Sequence, residues 1–303
     1  MGETTLRWST QLDAEVARAV RELLERTSAE DGVAPVSEQA VLSLGATDSG
    51  AEHLVALRAG VVAGYANLVA AHGEHPAMAE VAVDPAARGH GIGAELVSAA
   101  LTKGGSGARV WAHGNRPAAQ ALAARLGLRV ARELWQMRRS LATPELPELV
   151  VPEGTALRTY EGAAEDAELL RVNNAAFAWH PEQGGWTERD IAVRREESWF
   201  DPKGLFIAVD PADPDRILGF HWTKVHHEEN PPAGEVYVVG IDPAAQGRGL
   251  GRLLTLAGLR YLHERDLPEV LLYTEADNTA AVHTYARLGF AASHIDVAYS
   301  AAD

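Results

Sequence analysis

Two short stretches of this chain set glycines and a basic residue directly ahead of an apolar, helix-like run. One is Asp242-Pro243-Ala244-Ala245-Gln246-Gly247-Arg248-Gly249-Leu250-Gly251-Arg252, after the strand-like run Val236 to Ile241. The other is Asp84-Pro85-Ala86-Ala87-Arg88-Gly89-His90-Gly91-Ile92-Gly93-Ala94, after Val81-Ala82-Val83. A turn of this kind aims successive backbone N–H groups at one point, where the helix dipole adds partial positive charge; the guest that suits it is a diphosphate. Glycine lets the phosphate approach the backbone and admits positive φ. No Gly-Lys-Ser/Thr follows, so neither copy is a Walker loop. The spacing G-x-G-x-G, with no acidic residue about 20 positions on at the end of a second strand, also departs from the dinucleotide fingerprint. His221, His226, His227 and Glu228 could suggest a metal site, but 221 and 226 are an odd number apart, on opposite faces of a regular strand. No metal is expected.

A second element is repeated with less fidelity. Leu271-Leu272-Tyr273-Thr274-Glu275-Ala276-Asp277-Asn278 reads as a strand and an Asx-type helix start. It runs on through a short helix bearing Tyr285 to Leu288-Gly289-Phe290, where Gly289 is a C-cap. The first half offers Val110-Trp111-Ala112-His113-Gly114-Asn115 and Leu126-Gly127-Leu128. Strand, Gln/Arg-x-x-Gly-x-Gly, helix, strand, then Asn, Ala, Tyr and Leu-Gly-Phe resembles the GCN5-related N-acetyltransferases, which hold acetyl-CoA by its pyrophosphate on the Gly loop. The Asp-Pro elements are 158 residues apart and the Leu-Gly pairs 162, so the chain is read as two such domains in tandem. Expected boundaries are residues 1–140 for an N-terminal, non-catalytic domain, 141–153 for a linker and 154–303 for a C-terminal catalytic domain. The resemblance implies acetyl-CoA contacts from Val239, Gly240, Ile241, Gln246, Gly247, Arg248, Gly249, Leu250, Gly251, Arg252, Asn278, Thr279, Ala280, Ala281, Val282 and His283. In the first half the matching residues are Val81, Ala82, Val83, Arg88, Gly89, His90, Gly91, Ile92, Gly93 and Ala94.

Acetyl transfer from a thioester to an amine needs a neutral amine, a polarised carbonyl and a proton for the departing thiolate. A thiol has a pKa near ~8.5, and a phenol within hydrogen-bond reach can supply that proton. Tyr285 stands where family members keep such a tyrosine; 162 residues earlier the first half has Ala123. Glu235, seven residues before Asp242, is the candidate base, and the matching residue before Asp84 is Ala77. Glu80 stands four before Asp84, a change of parity that predicts it to face away from the side Glu235 occupies. The carbonyl oxygen would be held by a backbone N–H near Val239 or Gly240.

Three unusual strings carry a narrower resemblance over essentially the whole length: Asp31 to Gln39, Arg171 to Trp186 and Gly219 to His226. They are similar to tandem members that acetylate the cysteinyl amine of a glucosaminyl-inositol conjugate, desacetylmycothiol. There the residues matching Glu38, Glu182, Lys224, Glu235 and Tyr273 line the acceptor site, with Glu38 supplied by the first half. A polyol with one ammonium group suits such charged partners. Other readings are acetylation of another small amine or of a protein N-terminus, and a CoA-binding sensor without turnover.

These residues need a scaffold. Helical spacing runs from Asp13 to Arg26, from Ile92 to Leu101 and from Glu165 to Asn174. Strands are expected at Val61 to Ala70, Ala77 to Val83, Val130 to Arg139, Ala156 to Thr159, Ile207 to Asp210, Ile217 to His226 and Glu235 to Ile241. The fold class is therefore mixed α/β, a largely antiparallel sheet flanked by helices in each half. The 303 residues, 47% hydrophobic, suffice for two cores. A net charge of −15 argues against nucleic acid or an anionic membrane as partner, and the lack of cysteine excludes disulfides and thiolate chemistry. The polar N-terminus and the absence of any run of about 18 apolar residues predict a cytoplasmic protein; a monomer is expected.

Overall fold

Helix α1 (Ala14–Asp31) shows how the first half is built. Asp13 caps it by accepting from the Val16 N–H, and Gly32 closes it in the left-handed conformation. Its stripe Val20, Leu23 and Leu24 packs with Val55, Tyr65 and Ala82 of a sheet, at about 1.5–3 kcal/mol for each fully buried aliphatic side chain. In this computed structural model, residues 4–46, 49–73, 75–178, 183–227 and 230–302 are described. Two compact units are formed, Met1–Leu134 with Ile295–Asp303, and Trp135–His294.

The first unit contains β1 (Thr4–Ser9), α1, α2 (Glu38–Ser43), β2 (Ala51–Arg58), β3 (Val61–Val69), β4 (Met78–Val83), α3 (Ile92–Gly104), β5 (Arg109–Ala112), α4 (Pro117–Arg125) and the start of β6 (Leu128–Ser140). Strands β1 to β4 pair antiparallel in order, and β5 joins β4 in parallel. Helix α3 covers the face opposite α1, with Ile92 and Leu96 against Leu54, Ala56 and Ala66.

The second unit repeats the plan with β7 (Ala156–Thr159), α5 (Asp166–Ala176), α6 (Glu188–Glu196), β8 (Leu205–Asp210), β9 (Asp213–His226), β10 (Ala233–Ile241), α7 (Leu250–His263), β11 (Glu269–Glu275), α8 (Thr279–Arg287) and most of β12 (Ala291–Ala301). Strands β7 to β10 are antiparallel and β11 joins β10 in parallel. Leu169, Val172 and Ile191 of α5 and α6 pack on one face around Phe220 and Trp222. Leu256, Leu259 and Leu262 of α7 pack on the other with Val225 and Val236.

The borders differ from those the sequence suggests. The first unit gives up β6 at Leu134 and takes β12 from Ile295 onward, where Val297 to Ser300 pair with β5. Residues 141–153 carry no helix or strand, yet they lie against the second unit. Leu141 is buried and donates its N–H to the Pro268 carbonyl, Leu146 and Leu149 pack into its clusters, and Arg260 donates to the Pro147 carbonyl. Proline-rich composition signals extended backbone, which apolar residues can still anchor.

Candidate active site

The two Gly loops fold alike. In the second unit Asp242 accepts the Ala244 N–H at 2.9 Å and Arg171 at 2.8 Å; in the first, Asp84 accepts the Ala86 N–H at 2.9 Å and Arg26 at 2.7 Å. This bracing leads into Gly247 and Gly249, both with φ of +78°, matching Gly89 at +78° and Gly91 at +86°. Gly249 and Gly91 are the N-caps of α7 and α3, and neither helix has a side-chain cap. Its first-turn N–H groups therefore face open space, the donor set an oxyanion wants.

Each loop borders a cleft. That of the second unit, about 710 Å3, is lined by Val239, Ile241, Gln246, Gly247, Gly249, Leu250, Gly251, Arg252, Asn278, Ala280, Ala281 and Tyr285, with Ala176, Phe177 and Thr284 as well. Of the expected cofactor contacts, Gly240, Arg248, Thr279, Val282 and His283 are not among the lining residues. Gly240 instead leaves room for the Phe220 ring, and Arg248 donates to the Gly154 carbonyl at 2.8 Å. The first unit's cleft, about 490 Å3, is lined by Val81, Ala82, Val83, Arg88, Gly89, Gly91, Ile92, Gly93 and Ala94 but not His90. Its Arg88 is tied to Asp31 by two bonds of 2.9 and 2.8 Å.

Beside each cleft the two parallel strands part. In the second unit pairing stops after Gly234↔Val270 and Glu235↔Leu271. With the Asp242 N–H directed at the Leu218 carbonyl, strand alternation turns the Val239 N–H, not that of Gly240, toward the opening. In the first unit pairing runs through Met78↔Arg109 and Ala79↔Val110 to Glu80↔Trp111. Aligned on their antiparallel neighbours, Ile241↔Gly219 with Val83↔Gly64, the two ladders keep step until a bulge between Val236 and Val238.

That extra residue corrects one sequence expectation. Gly234 and Val236 face α7, Val238 packs on the α5 side, and Glu235 therefore looks toward α5. In the first unit Ala79 lies in the cluster with α3 and Ala82 in that with α1, so Glu80 looks toward α1. The two glutamates occupy equivalent faces, two rungs apart, because a bulge reverses the parity on which the opposite prediction rests.

Their surroundings differ. Glu235 is 7% exposed, and His226 donates its Nε2–H to Oε2 at 2.7 Å. Lys224, its ladder partner, lies 5.3 Å from the Trp199 ring and 5.8 Å from that of Tyr237, whose hydroxyl accepts from Arg194 at 2.9 Å. Tyr273 is two residues beyond Leu271 on the same face, half exposed, and accepts from Gln136 at 2.8 Å. The fold thus brings Lys224, Glu235 and Tyr273 to one face. Glu38 opens α2 of the first unit and is exposed; Glu182 lies outside the described residues. His221 faces α7, donates to the Leu254 carbonyl at 2.8 Å and is held neutral, its pKa lowered to about 4 by burial, so it shares no ligand position with His226.

Glu80, also 7% exposed, has protein donors on both oxygens. Oε1 accepts the Ser37 N–H at 2.9 Å and His113 Nε2–H at 2.8 Å, and Oε2 accepts the Ser37 hydroxyl at 2.8 Å. His113 Nδ1 is 3.3 Å from Asp296. Burial alone would lower its pKa, but the hydrogen bonds to Asp296 and Glu80 outweigh it and raise the value to about 9.

Tyr285 is held on α8, which Asn278 caps by accepting the Ala281 N–H at 3.2 Å. Its ring meets Phe290 edge-on at 5.8 Å. Desolvation pushes its pKa up to about 12, so the phenol stays protonated and is a standing donor to the cleft it lines. The matching helix α4 has buried Ala123 at that place. The sequence reading missed the His226–Glu235 pair and the aromatic seat of Lys224. The register of the hairpin around Asn230-Pro231-Pro232 was the available signal for both, since it sets 226 and 224 beside 235.

Comparisons with known proteins agree with this geometry. The model of the Acetyltransferase (GNAT) family matches residues 17–128 and again 172–290. A mycothiol acetyltransferase of Nocardia farcinica is 75% identical, covering 99% of both chains, and one of Rhodococcus jostii is 61% identical over 100% of both. Among solved structures, a GCN5-related N-acetyltransferase from Sphaerobacter thermophilus superposes with a TM-score of 0.70 at 22% identity, covering 98% of this chain and 94% of that one. A tandem GNAT protein from the clavulanic acid biosynthesis pathway gives 0.65 at 21% identity, with 98% of both covered. These two likenesses speak to fold. The chain belongs to the acetyltransferase (GNAT) family, with two of its domains in tandem.

Proposed function

We propose that this protein transfers the acetyl group of acetyl-CoA to the cysteinyl amine of desacetylmycothiol, a reading supported by its similarity to proteins named mycothiol acetyltransferase, and that the second unit performs it. The observation that carries the assignment to the second unit is the parting of β10 and β11, with Glu235 at the apex and Tyr285 lining the cleft beside the uncapped Gly loop. The α7 loop holds the diphosphate through its N–H groups, with Gln246 and Arg252 beside them. The Val239 N–H is turned to hold the thioester oxygen as it gains charge. Glu235 takes the ammonium proton, freeing the lone pair that attacks the carbonyl carbon. As the C–S bond breaks, Tyr285 donates its hydrogen bond to the developing thiolate and relays a proton to the sulfur, its oxygen being reprotonated from water. Lys224 and Tyr273 hold the polyol, with Glu182 as a further contact. No helix among the described residues is long and apolar enough to cross a membrane. We place the enzyme in the cytoplasm, working as a monomer on a small molecule and needing no metal.

The test is acetyl-CoA turnover against desacetylmycothiol, free cysteine, glucosamine and a peptide with a free N-terminus, read by product mass. Desacetylmycothiol should be acetylated at least ~100-fold faster than the others at equal concentration. A peptide preferred over it would sink the substrate assignment, and no turnover with any amine would favour a CoA-binding sensor.

A further inference from the structure

The His226–Glu235 contact is used by none of the roles above. We infer that His226 is the positioning residue of this carboxylate: it pins Oε2 so that Oε1 is presented to the incoming amine. The inference rests on the catalytic reading of Glu235. A carboxylate only 7% exposed needs hydrogen-bond donors, and His226 supplies one at 2.7 Å. Oε1 has no protein partner among the described residues, yet it is not a sealed orphan, so a ligand can reach it. Lys224, the ladder partner of Glu235, lies over the Trp199 and Tyr237 rings, and the bond comes from His226 two rungs along. The first unit provides the contrast. There His113, just after β5, and the Ser37 cap engage both oxygens of Glu80, so neither is free of a protein donor as Oε1 of Glu235 is. By ladder position the counterpart of Glu235 is Met78, and β3 ends at Val69, short of the place that would match His226, so the first unit has neither the carboxylate nor an imidazole from this ladder.

A double-mutant cycle tests this, with kcat and both KM values read for the full-length protein. His226→Leu should lower kcat by about 10- to 100-fold with KM for acetyl-CoA within about twofold. His226→Gln, whose amide N–H reaches the same oxygen, should recover at least ~10-fold over the leucine variant. Glu235→Gln with His226→Leu should be no slower than Glu235→Gln alone, within ~3-fold, since a positioning residue has nothing to act on once the carboxylate is gone. If circular dichroism shows His226→Leu unfolded, His226→Asn, polar but too short to reach Oε2, takes its place with the same expected loss. Parental kcat in the leucine or asparagine variant, or a double variant slower by the full single factor, overturns the inference and leaves Glu235 as base untouched. Parental kcat in Glu235→Gln removes the catalytic reading first and this inference with it.

Discussion

The first and second units share a Gly loop, the aspartate that braces it and the arginine that holds that aspartate, and they part company a few residues upstream. In the second unit a bulge and an early end to strand pairing open the sheet beside Glu235. In the first the parallel pair continues to Glu80, and the junction is filled by Glu80, His113, Ser37 and Asp296. A diphosphate cradle is made mainly of backbone, so it survives side-chain replacement. A proton-transfer site depends on a few side chains at defined rungs, and the first unit has Ala123 where the second has Tyr285 and Met78 where it has Glu235, so on the proposed roles it lacks both.

The largest effect should come from setting the two loops against each other. Gly249→Val places a branched residue at φ of +78°, a local strain on the order of 1–3 kcal/mol that the fold tolerates, while its side chain occupies the diphosphate's approach. Turnover should fall by more than ~1,000-fold with circular dichroism unchanged. Gly91→Val, the same insult in the first unit, should cost less than ~3-fold in turnover and at most one bound acetyl-CoA by calorimetry. A folded Gly91→Val that loses turnover as fully as its counterpart would end the division of labour between the units.

Tyr285→Phe keeps the ring against Phe290 and removes only the donor. An expected ~10- to 1,000-fold loss of kcat, with acetyl-CoA affinity nearly unchanged, would separate catalysis from packing. Parental kcat with chemistry rate-limiting returns the residue to the core.

Glu235→Gln should lower kcat/KM most at acid pH, by about 10- to 100-fold, because the amine is then almost wholly protonated. It should recover in part as rising pH supplies neutral amine without help. A loss uniform across pH would make Glu235 a substrate contact instead.

The smallest effect belongs to the first unit. His113 has a folded value of about 9, above the ~6.5 of a free imidazole. Its contribution is therefore whole below about pH 6.5 and lost as pH rises through about 9, on the order of 2 kcal/mol. The first unit's melting temperature should fall by roughly 5 °C across that window, and that of His113→Gln should stay flat at the lower value. A parent protein equally stable at both ends would show that the imidazole is not charged between Glu80 and Asp296.

Much of this was readable beforehand. Helices α1, α3 and α5 and strands β3, β4, β8, β9 and β10 lie where periodicity places them, because each buries one stripe or face against a partner in its own unit. The Gly loops were plain, since their conformation is set by residues adjacent in sequence. What escaped was non-local. Nothing in Ala291 to Ala301 says that its last residues belong beside β5, a pairing set by sheet geometry some 180 positions away. Nor does alternation announce a bulge at Tyr237, and one unseen residue was enough to send Glu80 to the wrong side. The parity that argues against a metal site at His226 does not reveal its actual partner, a carboxylate brought near by the hairpin register.

The exchange of β6 for β12 also sets an order of events during synthesis. The second unit is one continuous stretch, Trp135–His294, and can collapse on its own contacts as soon as it clears the ribosome. The first unit, although translated earlier, lacks the strand that pairs with β5 until residues 295–301 arrive, 160 residues after Leu134. At about 5–20 residues per second that delay is roughly 8–32 s, through which β5 presents an unpaired edge. In this protein the half begun first is the half completed last.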